Sequence, residues 1–258
     1  MRVLVLGPAI YDTSPGQRFR IEQWARHLEG GGFEFTFAAF EDEALHRILY
    51  ERGRVLRKAG LLARAFGRRF RLLPRVKDYD LVYVFREAAL AGPALVERLI
   101  ARRGVPVVFD FDDAVWVPYV SPANRYLSYL KCFGKTATLC RISRHVLAGN
   151  PYLAAYARRH NPNVTVVPTT IDTEAYRVRP EGPPAAGAPV TVGWTGSYST
   201  VQHLDLLRPA LAELRRRVPF RLVVIGTPSY QVDGVETVAR PWRAASEVED
   251  LQQFDVGV

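Results

Sequence analysis

The sequence predicts an α/β protein: a first unit built on a parallel sheet with helices on both faces, followed by a second α/β unit. Three observations carry this. Short apolar runs (RVLVL, DLVYVF, VPVVFDF, FRLVVI) alternate with helical stretches, the pattern of parallel strands joined by crossover helices. The stretch RPEGPPAAGAP at 179–189 can hold neither helix nor strand for long, so it separates residues 1–178 from 190–258. Residues 190–204, VTVGWTGSYSTVQHL, then restart the pattern with a buried strand, a small-residue loop and a helix.

Taken in order, residues 2–6 read as the first strand and 7–16, rich in Pro, Gly, Ser and Thr, as its exit loop. A helix over 17–29 ends at Gly30-Gly31-Gly32. Residues 33–40 form the second strand. In the segment that follows, Val55, Ala59, Leu62, Phe66 and Phe70 recur at helical spacing with arginines between them, which predicts an amphipathic helix. Strands are expected at 80–85, 105–111, 145–148 and 164–167, and helices at 93–103, 124–141 and 152–159. Beyond the linker come a strand at 190–194, a helix over 201–217, a strand at 220–225, a helix over 246–252 and a last strand at 255–258. An apolar strand ending at the last residue leads to the expectation of an incomplete second domain.

Composition narrows the class. With 258 residues, 48% of them hydrophobic and 24% charged, the chain can bury a large core. No apolar run approaches the roughly 18–20 residues that span a bilayer. Cys132 and Cys140 offer neither a zinc spacing nor a disulfide framework, which points to a reducing, cytoplasmic setting. The net charge of +9 is concentrated: residues 44–77 carry eleven Lys and Arg against Glu51 alone. One anionic contact surface is expected there, with the inner face of a membrane as the candidate and a solvated charge run as the plain reading. Evenly interleaved aromatics are lacking, so nucleic acid is not an expected partner.

Two sets of residues carry the chemistry. In the second unit, Gly193 and Gly196 let the backbone turn and approach a bound group, and Ser197 and Thr200 add hydroxyls beside a helix start. A phosphate suits that combination, although an ordinary capped turn has the same appearance. Gly226 behind the next strand joins this set. Trp242 and Arg243 fit stacking on a base and contact with a diphosphate, or packing between domains. In the first unit, Asp110, Asp112 and Asp113 stand at the carboxyl end of the fourth strand, where open α/β sheets bind ligands. Crowded carboxylates require a cation, an arginine or a donor-rich ligand. Contact with a second substrate ranks first, a structural role second and a metal third. Arg18, Arg20 and Arg86 lie near the same edge, where arginines bind phosphate or an acidic sugar. Solvated or ion-paired arginines are the alternative. The five histidines form no cluster, and no nucleophile–His–Asp set stands out.

Read together, GQRFRIEQW, DLVYVFREA, VVFDFDDAVW, AGNPYLAAYA, VVPTTIDTEAY, VGWTGSYST and the closing ARPW…FDVGV resemble, in this order and over nearly the whole chain, bacterial family 4 glycosyltransferases of the GT-B fold. The resemblance implies two Rossmann-like domains: a complete acceptor-binding domain over 1–178 and a partial donor domain over 190–258. A nucleotide sugar would meet Gly193, Gly196, Ser197, Thr200, Gly226, Trp242 and Arg243. A glycan or lipid-linked acceptor would meet Arg18, Arg20, Arg86 and Asp110, with Asp112 and Asp113 as acceptor-side catalytic candidates. Transfer would retain anomeric configuration with no metal and no other cofactor. Two departures follow from the same likeness. The Arg and Lys that usually follow the Gly loop are absent from SYSTVQHL, and the Glu-x7-Glu motif would fall beyond Val258. Little or no transfer by this chain alone is therefore expected. The second reading is a non-catalytic sugar- or nucleotide-binding module, and a polyanion binder ranks last.

Overall fold

A computed structural model describes residues 1–49, 51, 53–118, 131–179, 189–196 and 200–258. Contacts divide the chain into two compact units, Met1–Ile171 and Asp172–Val258.

The first unit is a six-stranded parallel sheet. Its strands are β1 (Arg2–Gly7), β2 (Glu34–Ala39), β3 (Leu81–Phe85), β4 (Val107–Phe111), β5 (His145–Ala148) and β6 (Val164–Val166), in the order β2-β1-β3-β4-β5-β6. Strand side chains alternate between two buried faces. Leu4, Leu6, Val82, Val84, Phe109 and Phe111 enter one core, while Val3, Val5, Tyr83 and Phe85 enter a second with Ile21. A sheet buried on both sides needs near-continuous apolar strands, which RVLVLG and LVYVF supply.

The helix after β1 is not regular. A short α1 (Pro15–Gln17) passes through a π-type turn at Arg18–Glu22 into α2 (Gln23–Glu29). The turn buries Arg20, Ile21 and Glu22 in succession. The basic segment forms α3 (Glu43–Leu49), whose Leu45 N–H is capped by Asp42 Oδ1 at 2.9 Å, and the long α4 (Val55–Leu72). Its apolar side packs on the core through Leu61, Leu62, Ala65 and Phe66. The basic residues therefore divide. Arg69 is buried and donates to the carbonyls of Ala88, Ala38 and Gly7 at 2.6, 2.8 and 3.1 Å. Arg68 reaches Asp42 at 2.6 Å and the Phe40 carbonyl at 2.7 Å. Arg57, Arg64 and Arg71, spaced by seven, form an exposed stripe. Among the described residues the further α-helices of this unit are α5 (Leu95–Ala101), α6 (Lys135–Ile142) and α7 (Pro151–Arg158). The expected helix over 124–141 thus begins at Lys135 within the described residues, and 124–130 lie outside them.

The second unit has four parallel strands: β7 (Val190–Thr195), β8 (Phe220–Ile225), β9 (Glu236–Arg240) and β10 (Val256–Gly257), in the order β10-β7-β8-β9. The single helix expected over 201–217 is split into α8 (Val201–Asp205) and α9 (Arg208–Arg215). Pro209 opens α9, and a proline has no N–H to continue the preceding helix. The strand β9, ETVAR, was not foreseen, because a short, partly buried edge strand lacks an apolar run. Last comes α10 (Glu247–Leu251). Residues 172–179, read from sequence as the end of the first domain, pack within the second unit. Tyr176 Oη donates to Glu247 at 2.5 Å, and Arg179 Nη2 meets Asp255 at 2.9 Å.

Candidate functional site

In open parallel sheets, ligands bind outside the carboxyl ends of the strands where the strand order reverses. The first unit has that reversal between β1 and β3, and the second has it between β7 and β10. Each unit therefore presents one such edge, and the sequence-selected residues cluster at both.

At the edge of the first unit, all three selected arginines are committed to aspartates. Arg18 Nε lies 2.8 Å from Asp12. Arg20 Nε donates to Asp110 at 3.0 Å, its Nη2 to the other carboxylate oxygen, and its Nη1 to the carbonyl of Val167. Tyr83 Oη donates to the same carboxylate. The Arg20 and Asp110 side chains are 2% and 0% exposed, so the pair lies beneath the edge and not on it. Burial raises the Asp110 carboxyl above its ordinary value against the opposing pull of Arg20 and Tyr83. Burial also opposes the Arg20 charge, but Asp110 overcomes it and holds the guanidinium above its usual value. This buried pair ties the π-type turn, β3, β4 and the exit of β6 together. The contact role expected for Arg20 and Asp110 is replaced by a bracing one.

Arg86 is different. It has a left-handed backbone, φ 56°, and its N–H donates to the Asp110 carbonyl at 2.7 Å. Such a conformation in a residue with a side chain is strained and is retained where surrounding contacts impose it. Its guanidinium grips Asp112 in two-pronged fashion at 2.6 and 2.9 Å and also donates to Asp113. Asp112 is 12% exposed and Asp113 65%, so the second carboxylate faces solvent. Gly16 and Gly149 crowd this group. A Cβ at residue 16 would stand 2.9 Å from Asp112 Oδ2, and one at residue 149 would stand 3.0 Å from its Cα. One arginine against two carboxylates leaves the group net negative. The expectation of an anion-binding arginine cluster is therefore corrected: aspartate partners from other strands and loops already neutralise these side chains.

The edge of the second unit is built from backbone. The N–H of Gly196 donates to Ile225 at 3.0 Å and that of Gly226 to Arg240 at 2.8 Å, which closes the exits of β7, β8 and β9 together. Gly226 has φ 101°, and a Cβ there would lie 1.8 Å from the Gly196 carbonyl oxygen. A Cβ at residue 196 would lie 2.5 Å from the Trp194 ring and 2.8 Å from Thr200 Oγ1. Gly193 is a correction: the space it leaves is filled by the ring of Phe254, so this glycine serves internal packing. Thr200 is exposed at the start of α8, but a helix of five residues provides little dipole. Trp242 Nε1 donates to Glu247 at 3.1 Å, the carboxylate that also receives Tyr176. That bond fixes the indole, and Arg243 beside it is exposed. Ser197 lies outside the described residues. Sequence reading missed Thr227, next to Gly226, whose buried hydroxyl has no hydrogen-bond partner. Among the described residues no group of three or more His, Cys, Asp or Glu could hold a metal ion.

Two parallel-sheet units, each with a ligand edge at a switch point, match the GT-B architecture of solved glycosyltransferases. An alpha-glucosyltransferase (AGT) in complex with UDP aligns with TM-score 0.61 at 12% identity, over 100% of this chain and 72% of that one. Sucrose-phosphate synthase from Thermosynechococcus elongatus aligns with TM-score 0.61 at 12% identity, over 100% and 75%. The Acinetobacter baumannii MurG structure aligns with TM-score 0.46 at 15% identity, and the chain spans 65% of its length. At these identities the likeness to the first two establishes the fold alone. No curated protein matches the sequence significantly. The family is established independently: the model of Glycosyltransferase Family 4 matches residues 16–175, and the chain belongs to that family.

Proposed function

We propose that this glycosyltransferase transfers a hexose from a nucleotide-sugar donor to a glycan or lipid-linked acceptor with retention of anomeric configuration. The donor is assigned to the second unit and the acceptor to the first. The observation that carries the donor side is the pair of glycines, Gly196 and Gly226, at the carboxyl ends of β7 and β8, the sheet edge at which open α/β sheets bind ligands. The fold relative AGT was solved in complex with UDP, which supports a nucleotide-sugar donor. Retention is supported by family membership. In this reaction the acceptor oxygen bonds to the anomeric carbon as the bond from that carbon to the diphosphate breaks on the same face. The acceptor proton passes to the departing diphosphate. The reading requires no metal, so whatever transfer this chain supports is expected to be the same with and without EDTA.

Calorimetric titration with UDP, ADP and GDP tests the donor side without requiring turnover. Binding of one nucleotide, lost on Gly226→Val with the first unit intact, supports it, and indifference to all three removes it. Release of nucleoside diphosphate from a panel of nucleotide sugars then tests transfer.

The same proposal places an anionic membrane surface against residues 44–77. Among the described residues no helix is long and apolar enough to cross a membrane, so contact would be made at the interface. The outer stripe Arg57, Arg64 and Arg71, with Leu56 at 89% exposure and Phe70 at 42%, supports it. Each basic residue near such a surface contributes roughly 1 kcal/mol. Sedimentation with anionic and neutral vesicles decides. Preference for anionic vesicles, lost when these three arginines become Glu, supports the contact, and equal indifference ends it.

A further inference from the structure

The loop after β4 and α7 bring three aromatic rings together, Trp116, Tyr152 and Tyr156, and the first turn of α7 follows Gly149, which packs on Asp112. Trp116 lies flat on Tyr156, with ring centroids 3.7 Å apart and planes within 3°, and meets Phe111 edge-on at 6.0 Å. Packing accounts for both of those contacts. Tyr152 is not accounted for in the same way. Its ring stands 6.0 Å from the indole, tilted 29°, and the residue is 66% exposed. An aromatic side chain so open to water gives up most of the burial that favours it elsewhere. Its position is not arbitrary either. Tyr152 follows Gly149 by three residues, and Gly149 packs directly on the backbone of Asp112. Trp116 follows Asp113 by three residues through a turn in which Val115 N–H donates to the Asp113 carbonyl at 2.8 Å.

We infer that Tyr152 and the neighbouring Trp116 form a stacking platform for a neutral pyranose ring of the acceptor, with the exposed Asp113 carboxylate receiving its hydroxyl groups. The inference rests on the assignment of this edge to the acceptor and narrows the class of that acceptor. A pyranose offers a patch of C–H groups on one face and hydroxyls around its rim. It therefore satisfies an aromatic surface and a carboxylate at once. Charge selects against the alternatives. Arg86 is shared between Asp112 and Asp113, so the local group is net negative and disfavours a phosphate or a uronic acid at this position. A nucleobase would stack as well, but its attached phosphates would be repelled in the same way. Sites for small polar ligands commonly combine an aromatic wall with a few placed polar groups, and this edge has both.

Saturation-transfer NMR tests the platform with methyl glucosides, galactosides and mannosides of both anomeric configurations, with glucose 6-phosphate and glucuronate as anionic comparators. The expected result is transfer to the ring C–H protons of at least one neutral glycoside, stronger than to either anionic sugar. Tyr152→Ala should weaken that binding about three- to tenfold, the scale of one lost aromatic contact. Tyr152→Phe should retain it, and Asp113→Asn should weaken it. Because Tyr152 is exposed, its variants are expected to fold, and circular dichroism checks this. Transfer unchanged in Tyr152→Ala, or transfer to no neutral glycoside, overturns the platform. UDP titration of the same samples separates the two readings. If UDP binds and no glycoside does, the platform falls and the transferase assignment stands. If a glycoside binds through Tyr152 and no nucleotide binds, the donor assignment falls and the platform stands.

Discussion

The ring of Phe254 occupies the place where a side chain on Gly193 would stand: a Cβ at residue 193 would lie 2.0 Å from it. Gly193 sits mid-strand in β7, paired with Val223 of β8 and Gly257 of β10. Its lack of a side chain lets the segment before β10 close over the sheet. Gly193→Ala is therefore expected to destabilise the second unit by about 1–3 kcal/mol, the usual cost of overpacking. In a Phe254→Ala background the same substitution should cost little, because the obstructing ring is gone. Thermal unfolding of the four proteins in this cycle measures the coupling, and additive costs would show that the two residues do not meet.

Gly226 faces two constraints at once, a left-handed φ of 101° and the Gly196 carbonyl 1.8 Å from any Cβ. Gly226→Ala should separate the exits of β7 and β8. Nucleotide affinity is expected to fall at least tenfold, while hydrogen exchange in β1, β3 and β4 stays as in the parent. Loss of protection in the first unit would show a general failure of folding instead.

The basic residues of α4 are expected to behave in two ways. Arg69 supplies donors to three carbonyls, and burial pushes its guanidinium down to about 10, so it remains charged at neutral pH. Arg69→Leu leaves those acceptors short of partners and should destabilise the first unit by on the order of 3 kcal/mol. Arg57→Glu and Arg71→Glu, both in the exposed stripe, should change stability by less than about 0.5 kcal/mol. Denaturant midpoints check both. A large loss on Arg71→Glu would contradict the assignment of that residue to the surface.

Asp255 accepts from the Thr191 N–H at 2.8 Å and from Arg179 at 2.9 Å, and these partners, the backbone bond first, hold it below its ordinary value of 3.8. Because the folded value is the lower one, the stabilisation is fully present above the unfolded value. It is lost as pH falls through the folded value. Asp255→Asn should therefore melt lower than the parent at pH 7, with the difference shrinking as pH drops below about 4. A difference independent of pH would show that charge is not the cause.

Most of the architecture was legible from local pattern. Strands such as RVLVL and FRLVVI are apolar because both of their faces are buried, and that signal survives in any reading of the chain. The failures have specific causes. Pro209 divides α8 from α9 through a missing N–H, a mark visible in the sequence but easily overridden by the apolar periodicity around it. The strand β9 was hidden because an edge strand need not be apolar.

By itself, the sequence determined the alternation of strands and helices, the position of the glycine loop, the gathering of aspartates and arginines at one sheet edge, and membership of the glycosyltransferase family. Only the tertiary structure decided what those side chains do. Arg20 meets Asp110 across 90 residues and Arg86 meets Asp112 across 26, so whether an arginine is available to a ligand depends on contacts that local pattern does not encode. The same holds along α4, where Arg69 and Arg71 are two residues apart and equally basic. One is buried under the sheet edge and the other stands in water, because at about 100° per residue they point in nearly opposite directions from the helix.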